Sequence, residues 1–319
     1  MALAASARPQ RNLLRTKMKD PYLLHMFNPT KNVSPFDVNM AYEAEFNGVI
    51  PYTNVTLEDI HALTQDTIFS RSPTGVKRTG IFIGGREFGL AIDMFEAAKT
   101  AMVPPFEVSV FADPSGAITT AAALMACVEA ALRKNGRAQG LSGANVYVFG
   151  GTGPVGVCAG ILGSQSGANT FLTSQRGAEA AMQAAAPYNE RYGVKLQGAD
   201  SSNDAAIRAF LPRAHVVVGA AKAGFQVLSR AQLGAAAELL VAADVNAVPP
   251  AGIEGVGVND KGKALESTPA KALGFGALAI GNVKYQVHYR LFQLMIQAAK
   301  PVYLDHVKAF EVAREIAAG

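Results

Sequence analysis

A glycine-rich turn, Gly151-Thr152-Gly153-Pro154-Val155-Gly156, limits what this chain can fold into more than any other stretch. An apolar run, Asn145 to Gly150, precedes it and reads as a buried strand. Pro154 to Ser166 follows and reads as a helix, with Pro154 in the first turn, where its missing N–H removes no hydrogen bond. The spacing gives each glycine a separate use: the first permits a tight turn, the second lets a ligand approach the backbone, and the third lets the helix close on the sheet. The free N–H groups and dipole of the helix start favour a pyrophosphate. A lone GxGxxG means little in a chain with 31 glycines, but the strand and helix on either side make this one a dinucleotide-binding turn.

The segments that follow repeat the pattern. Asn169 to Thr173 reads as a strand, Gly177 to Tyr192 as a helix, and Val216 to Ala220 and Leu239 to Ala242 as further short strands. This βαβαβ order predicts a Rossmann-type parallel sheet. The end of its second strand bears on the choice of cofactor. NAD enzymes usually place a carboxylate there, about 20 residues past the glycine turn, to hold the ribose hydroxyls. Here the chain reads Ser174-Gln175-Arg176. Ser174 can donate to a phosphate and Arg176 can pair with one, so NADP is favoured, with NAD not excluded.

The N-terminal half also alternates. Tyr22 to Phe27 predicts a strand, and Ser34-Pro35-Phe36-Asp37 a helix start with Ser34 as cap, Pro35 in the first turn and Asp37 at the positive terminus. Thr56 is expected to cap a second helix, and Thr67 to Ser70, Gly80 to Gly84 and Glu107 to Phe111 to form strands. Helices are expected over Phe88 to Met102 and Ala117 to Lys134, and again over Ala279 to Ala299 and Leu304 to Ala318. In a chain of 319 residues this makes an α/β protein of two units. Residues 21–135 form an α/β substrate unit and 136–280 the dinucleotide unit, while the helices of 281–319 return to the first.

Residues 1–20 hold Arg8, Arg11, Arg15, Lys17 and Lys19 against Asp20 alone, which accounts for the whole net charge of +4. The neutral remainder has no electrostatic footprint for a polyanion, so nucleic acid is not expected as a partner. The tail reads as a disordered arm, with a targeting segment as the alternative. No run approaches the roughly 20 uninterrupted apolar residues of a membrane span. Cys127 and Cys158 lie in apolar helical patterns and read as buried, reduced thiols, which fits a cytoplasmic protein.

Motifs for acid–base or metal chemistry are missing: there is no CxxC, HExxH or GxSxG, and His25, His61, His215, His288 and His306 are scattered and read as structural. Most alcohol dehydrogenations need a base. A dinucleotide enzyme without one points to a substrate whose hydride loss leaves a stable cation, such as an N–CH2–N bridge.

From about Leu24 onward the chain resembles the bacterial NAD(P)-dependent methylene-tetrahydromethanopterin dehydrogenase family. The stretches that carry the resemblance are Ser34 to Val38, Thr79 to Gly85, Phe111 to Gly116 with Thr119 to Ala122, Gly150 to Gly156, Asp244 to Ile253 and Gly276 to Lys284. It implies hydride transfer from the methylene bridge of the pterin to the nicotinamide, with a pterin as partner, no metal, and a homo-oligomer. It also implies that Lys284 is the active-site lysine, placed away from the cationic product carbon. Asp37 would accept from the amino-pyrimidine donors of the pterin, and Gly85, Asp113, Ser115, Thr119 and Thr120 would line the substrate side. Asn246 and the Pro249-Pro250 turn would lie at the nicotinamide. The competing expectation for Asp113, Ser115, Thr119 and Thr120 is capping of the helix near Ala117. The basic tail is foreign to the family pattern, and Ser174-Gln175-Arg176 does not transfer from it. A methylene-tetrahydrofolate dehydrogenase and a shikimate-type dehydrogenase share the two-unit plan and stand as alternatives.

Overall fold

The alternating pattern folds into two separate, almost wholly parallel sheets. The computed structural model describes residues 20–318, so the expectation for the basic tail falls outside the described residues, Asp20 excepted. The first half runs β1 (Leu23–Asn28), α1 (Pro35–Glu43), β2 (Gly48–Thr53), α2 (Asp59–Phe69), α3 (Pro73–Val76), β3 (Thr79–Ile83), α4 (Phe88–Thr100) and β4 (Ser109–Ala112). A single 3-10 turn then enters the long α5 (Ala117–Lys134). The second half runs β5 (Asn145–Phe149), α6 (Pro154–Gln165), β6 (Asn169–Ser174), α7 (Ala178–Tyr192), β7 (Gln197–Asp200), α8 (Asp204–Phe210), β8 (Val216–Gly219), α9 (Arg230–Leu233) and β9 (Val241–Asp244). It ends with β10 (Lys261–Ala264) and β11 (Leu273–Phe275), after which α10 (Ala277–Gln297), β12 (Tyr303–Leu304) and α11 (His306–Ala318) close the chain.

The first sheet has the order β12-β4-β3-β1-β2, all parallel, and the second β10-β11-β9-β8-β5-β6-β7, with only the β10–β11 pair antiparallel. Strand order reverses between β1 and β3 in one sheet and between β5 and β8 in the other. Such switch points open a crevice at the carboxyl ends of the strands, where ligands bind in this architecture.

The C-terminal segment packs back on the first half, as expected: β12 pairs with β4. On α10, His288 and Phe292 enter an aromatic cluster with Phe82 and Phe111. Being four residues apart, they share one helix face with Lys284, another four back, so burying the aromatics turns Lys284 toward the first sheet's crevice. Alone among the described helices, α5 with the turn before it has the length and apolarity of a membrane span, and 83% of its most apolar 18-residue window is buried. Its small residues let α6, α10 and α11 pack closely around it. Glu129 of α5 receives Arg314 of α11 at 2.6 Å and Arg133 at 3.0 Å.

Four local expectations are corrected. Thr67 to Ser70 belongs to α2 and its cap, not to a strand. Ile60, Thr64, Thr67 and Ile68 are its buried residues, a helical spacing that a short apolar window hides, and the Thr67 hydroxyl donates back to the Leu63 carbonyl. The Thr56 hydroxyl does not cap α2 but donates to Asp59. Ser34 sits at the N-cap of α1 without a side-chain capping bond. The strand expected at Leu239 to Ala242 begins two residues later, at Val241, so that its last residue is Asp244. No expectation covered β2, which carries Pro51; its place at the sheet edge tolerates a proline.

Candidate active site

The first crevice lies at the β1/β3 switch, a cavity of about 260 Å3 whose wall includes Asn28, Ser34, Asp37, Gly84, Gly85 and Ser115. Gly85 and Ser115 are joined, the Ser115 hydroxyl donating to the Gly85 carbonyl at 2.8 Å, which ties the ends of β3 and β4 together. Ser115 and Gly116 both take left-handed backbone angles, φ +52° and +68°. The glycine has a second reason: a Cβ there would lie 3.0 Å from Lys284 Nζ. Lys284 therefore fills the space left by Gly116, and Thr120 Oγ1 lies 4.0 Å from the same Cβ position. The ammonium also sits 3.6 Å from the centre of the Phe36 ring, a cation–π contact.

Asp37, in the first turn of α1, is only 4% exposed. Burial, then the nearby Asp113 charge, push its carboxyl up to about 8, against the opposing pull of Lys284 and Ser34. It is thus protonated at neutral pH, an unusual state for an aspartate at a helix N-terminus.

Asp113 and Thr119 do not reach the cavity wall. Asp113 Oδ1 accepts the N–H groups of Ile118 and Thr119 at 2.9 and 3.1 Å, and Oδ2 accepts the Thr119 hydroxyl at 2.6 Å. The capping role expected as their alternative describes these contacts. Burial opposes the Asp113 charge, but His288, Lys284 and the Thr119 hydroxyl outweigh it and hold the carboxyl below the ordinary range. His288 was expected to be a scattered structural residue. In the structure its Nδ1 lies 3.1 Å from Asp113 Oδ2 and its Nε2 4.0 Å from Asp37 Oδ1, with no exposure at all. Both are close approaches rather than aligned hydrogen bonds, and neither ring nitrogen has a hydrogen-bond partner among the described residues. Burial keeps the imidazole neutral against the pull of Asp113. No local motif marks His288, and only the fourth position after Lys284 hints that it shares a face with that lysine.

The second crevice, about 930 Å3, lies at the β5/β8 switch above the start of α6. Gly150, Thr152, Gly153, Ser174, Gln175 and Arg176 are on its wall. Gly151, Pro154, Val155 and Gly156 shape the turn beneath it. A Cβ on Gly156 would collide with the Gly150 carbonyl, so the third glycine permits helix and turn to touch, whereas Gly153 has 3.4 Å to its nearest neighbour and leaves its side open. The Arg176 N–H donates to Ser174 Oγ, so the serine hydroxyl is free to donate elsewhere, and Arg176 is exposed on the cavity wall. The size, the glycine turn and the helix start fit a dinucleotide. Asn246 does not line this crevice: its oxygen accepts from Gly224 and Val248 and its amide donates to the Pro250 carbonyl, so it braces the loop after β9.

Cys127 and Cys158 are free and buried. Burial pushes the Cys127 thiol up to about 11 and that of Cys158 well above its ordinary range, so neither is a nucleophile.

Comparison with known proteins agrees with this architecture. Residues 35–115 match the N-terminal family described as methylene-tetrahydromethanopterin dehydrogenase. That segment carries Asp37, Gly85, Asp113 and Ser115. The chain is 46% identical over 295 residues to the NAD(P)-dependent methylenetetrahydromethanopterin dehydrogenase of Methylorubrum extorquens, covering 92% of this chain and 98% of that protein. It is 32% identical, over 92% of this chain and 99% of the relative, to the Bifunctional protein MdtA of the same organism. Among solved structures, a shikimate 5-dehydrogenase from Listeria monocytogenes, in complex with shikimate and NAD, aligns with TM-score 0.50 at 13% identity. The alignment covers 93% of this chain and 96% of that one, and this likeness is one of fold alone. With nearly half its residues shared across almost the whole length of both chains, the protein belongs to the methylene-tetrahydromethanopterin dehydrogenase family.

Proposed function

We propose that the protein oxidises the methylene bridge of methylene-tetrahydromethanopterin to the methenyl cation, with NADP as the preferred hydride acceptor. The observation that carries this reading is the pairing of two switch-point crevices. One is built on a glycine turn for a dinucleotide, and the other has a buried carboxyl on its wall, with Lys284 packed nearby against Gly116 and Phe36. Residues 21–135 serve the pterin, 136–280 the cofactor, and 281–319 bring Lys284 between them.

The cofactor supplies the hydride chemistry; the chain supplies binding and orientation. Asp37 receives the amino-pyrimidine donors of the pterin, with Gly85 and Ser115 giving backbone and hydroxyl contacts beside it. Lys284, held against Phe36 and Gly116, orients the pterin carbonyl. Asp113, Thr119 and Thr120 support this wall from within. The product is a cation stabilised by two nitrogens, so no protein base is required. Gly151, Gly153 and Gly156, with Thr152, Pro154 and Val155, place the pyrophosphate at the start of α6. Ser174, Gln175 and Arg176 favour the 2′-phosphate, and Asn246 fixes the loop beside the nicotinamide. The same reading takes the enzyme as a cytoplasmic homo-oligomer, which fractionation and light scattering test.

The deciding experiment is a spectrophotometric assay with methylene-tetrahydromethanopterin or methylene-tetrahydrofolate and either nicotinamide. Turnover with the methanopterin and NADP is expected to exceed the other combinations. Preference for the folate overturns the substrate, and preference for NAD overturns the role of Arg176.

A further inference from the structure

His288 lies between two carboxyls from different elements, Asp37 on α1 and Asp113 at the end of β4, with Lys284 one helical turn before it on α10. Phe36, Phe82, Phe111 and Phe292 enclose the ring. The other titratable group near Asp113 is the Cys158 thiol of α6, which stays protonated. Asp113 is held ionised by three donors, so the neutral tautomer that suits it carries its proton on Nδ1, 3.1 Å from Asp113 Oδ2, and leaves Nε2 bare on the side of Asp37. A fully buried ring nitrogen with no aligned partner among the described residues therefore faces the one carboxyl on the cavity wall.

We infer that His288 is the positioning residue that takes the proton of Asp37 when the pterin binds, so that Asp37 meets the amino-pyrimidine as a carboxylate. This rests on the reading of Asp37 as a pterin contact. In the free site the proton is on Asp37 and the imidazole is neutral. On binding, the Asp37 O–H bond breaks, an Nε2–H bond forms, and the imidazolium lies between two carboxylates, keeping Nδ1–H on Asp113. The 4.0 Å gap from Nε2 to Asp37 Oδ1 closes by about 1 Å to reach hydrogen-bond distance.

Charge balance favours this route over release to water. Before binding the buried cluster holds Asp113 as anion and Lys284 as cation. After internal transfer it holds two anions and two cations, and its net charge is unchanged. Release would instead leave two carboxylates facing one ammonium in a dry site, an uncompensated buried charge that is costly. The protons thus belong to the cluster rather than to one residue.

The test uses the full-length protein with NADP bound. Tetrahydromethanopterin is added in weak buffer at pH 7 with a pH indicator, and ¹⁵N-histidine spectra are recorded before and after. Wild type is expected to release far less than one proton per site while Nε2 of His288 moves from the unprotonated to the protonated range. The KM for methylene-tetrahydromethanopterin is then flat between pH 6 and 8. In His288→Asn, release rises toward one proton per site, and KM climbs about tenfold for each pH unit below 8. Release of a full proton by wild type, an unprotonated Nε2 in the complex, or an His288→Asn profile as flat as wild type overturns the inference. The spectra decide it even if the variant does not fold. Asp37→Asn separates the two levels: unchanged pterin KM in that variant removes the reading beneath. A raised KM there, with full proton release by wild type, removes only the role of His288.

Discussion

Asp37→Asn should make the enzyme more stable and less able to bind its pterin. An ordinary aspartate gives up its proton near 3.8, whereas burial and the Asp113 charge push Asp37 up to about 8. Below 3.8 the group is protonated in both folded and unfolded chains, and stability is unaffected. Between those values the unfolded chain ionises while the folded protein keeps the proton, so stability falls as pH rises; above 8 the loss is constant. At roughly 1.36 kcal/mol for each pH unit, the loss reaches about 4 kcal/mol at pH 7, an upper bound that local opening of α1 reduces. Asparagine keeps the shape and never ionises, so it recovers this loss. For a chain of this length about 2 °C accompanies each kcal/mol, giving a rise in Tm of several degrees at pH 7. Calorimetric melts at pH 4 and pH 7.5, with pterin KM on the same samples, check it. The gain should be near zero at pH 4 and large at pH 7.5, with KM raised at least tenfold. Equal gains at both pH values, or none at pH 7.5, would refute a buried, protonated Asp37. Such a gain, with function lost, is the expected mark of a residue kept for binding at the expense of stability.

Gly116→Ala places a methyl 3.0 Å from Lys284 Nζ at φ +68°, so kcat should drop about tenfold and stability by about 1–2 kcal/mol. Gly136→Ala, with a similar φ and open space around it, should show the stability loss with normal kcat; equal kcat in both would clear Gly116 of its role. Lys284→Ala should lower turnover on the order of a hundredfold while NADP binding, read by fluorescence titration, stays unchanged. Arg176→Ala should raise the KM for NADP about tenfold and leave that for NAD alone, and parallel losses would end the case for phosphate recognition.

The cofactor half was legible because its signals are local. Gly151 to Gly156 between β5 and α6 is a run of neighbours, and the absence of a carboxylate after β6 is read directly at Ser174 to Arg176. Short strands and edges were harder. Thr67 to Ser70 is apolar enough for a strand but lies in α2, and β2 hides behind Pro51. β12 is two residues long and exists because β4 offers it an edge.

What the sequence determined by itself is whatever depends on chain neighbours: the strand–turn–helix at the cofactor, the long apolar α5, the neutral body, and the family stretches that include Lys284. What only tertiary structure decided is the state and use of the polar groups. Asp37, Asp113 and His288 come from α1, the end of β4 and α10. Their charges depend on burial and on one another across a few ångströms. Asp113 and Thr119 turned inward to each other, and His288, unmarked in the sequence, came to stand between two carboxyls. Residue type states which protons a side chain can hold; which it does hold is set by the dielectric and charges that folding places around it.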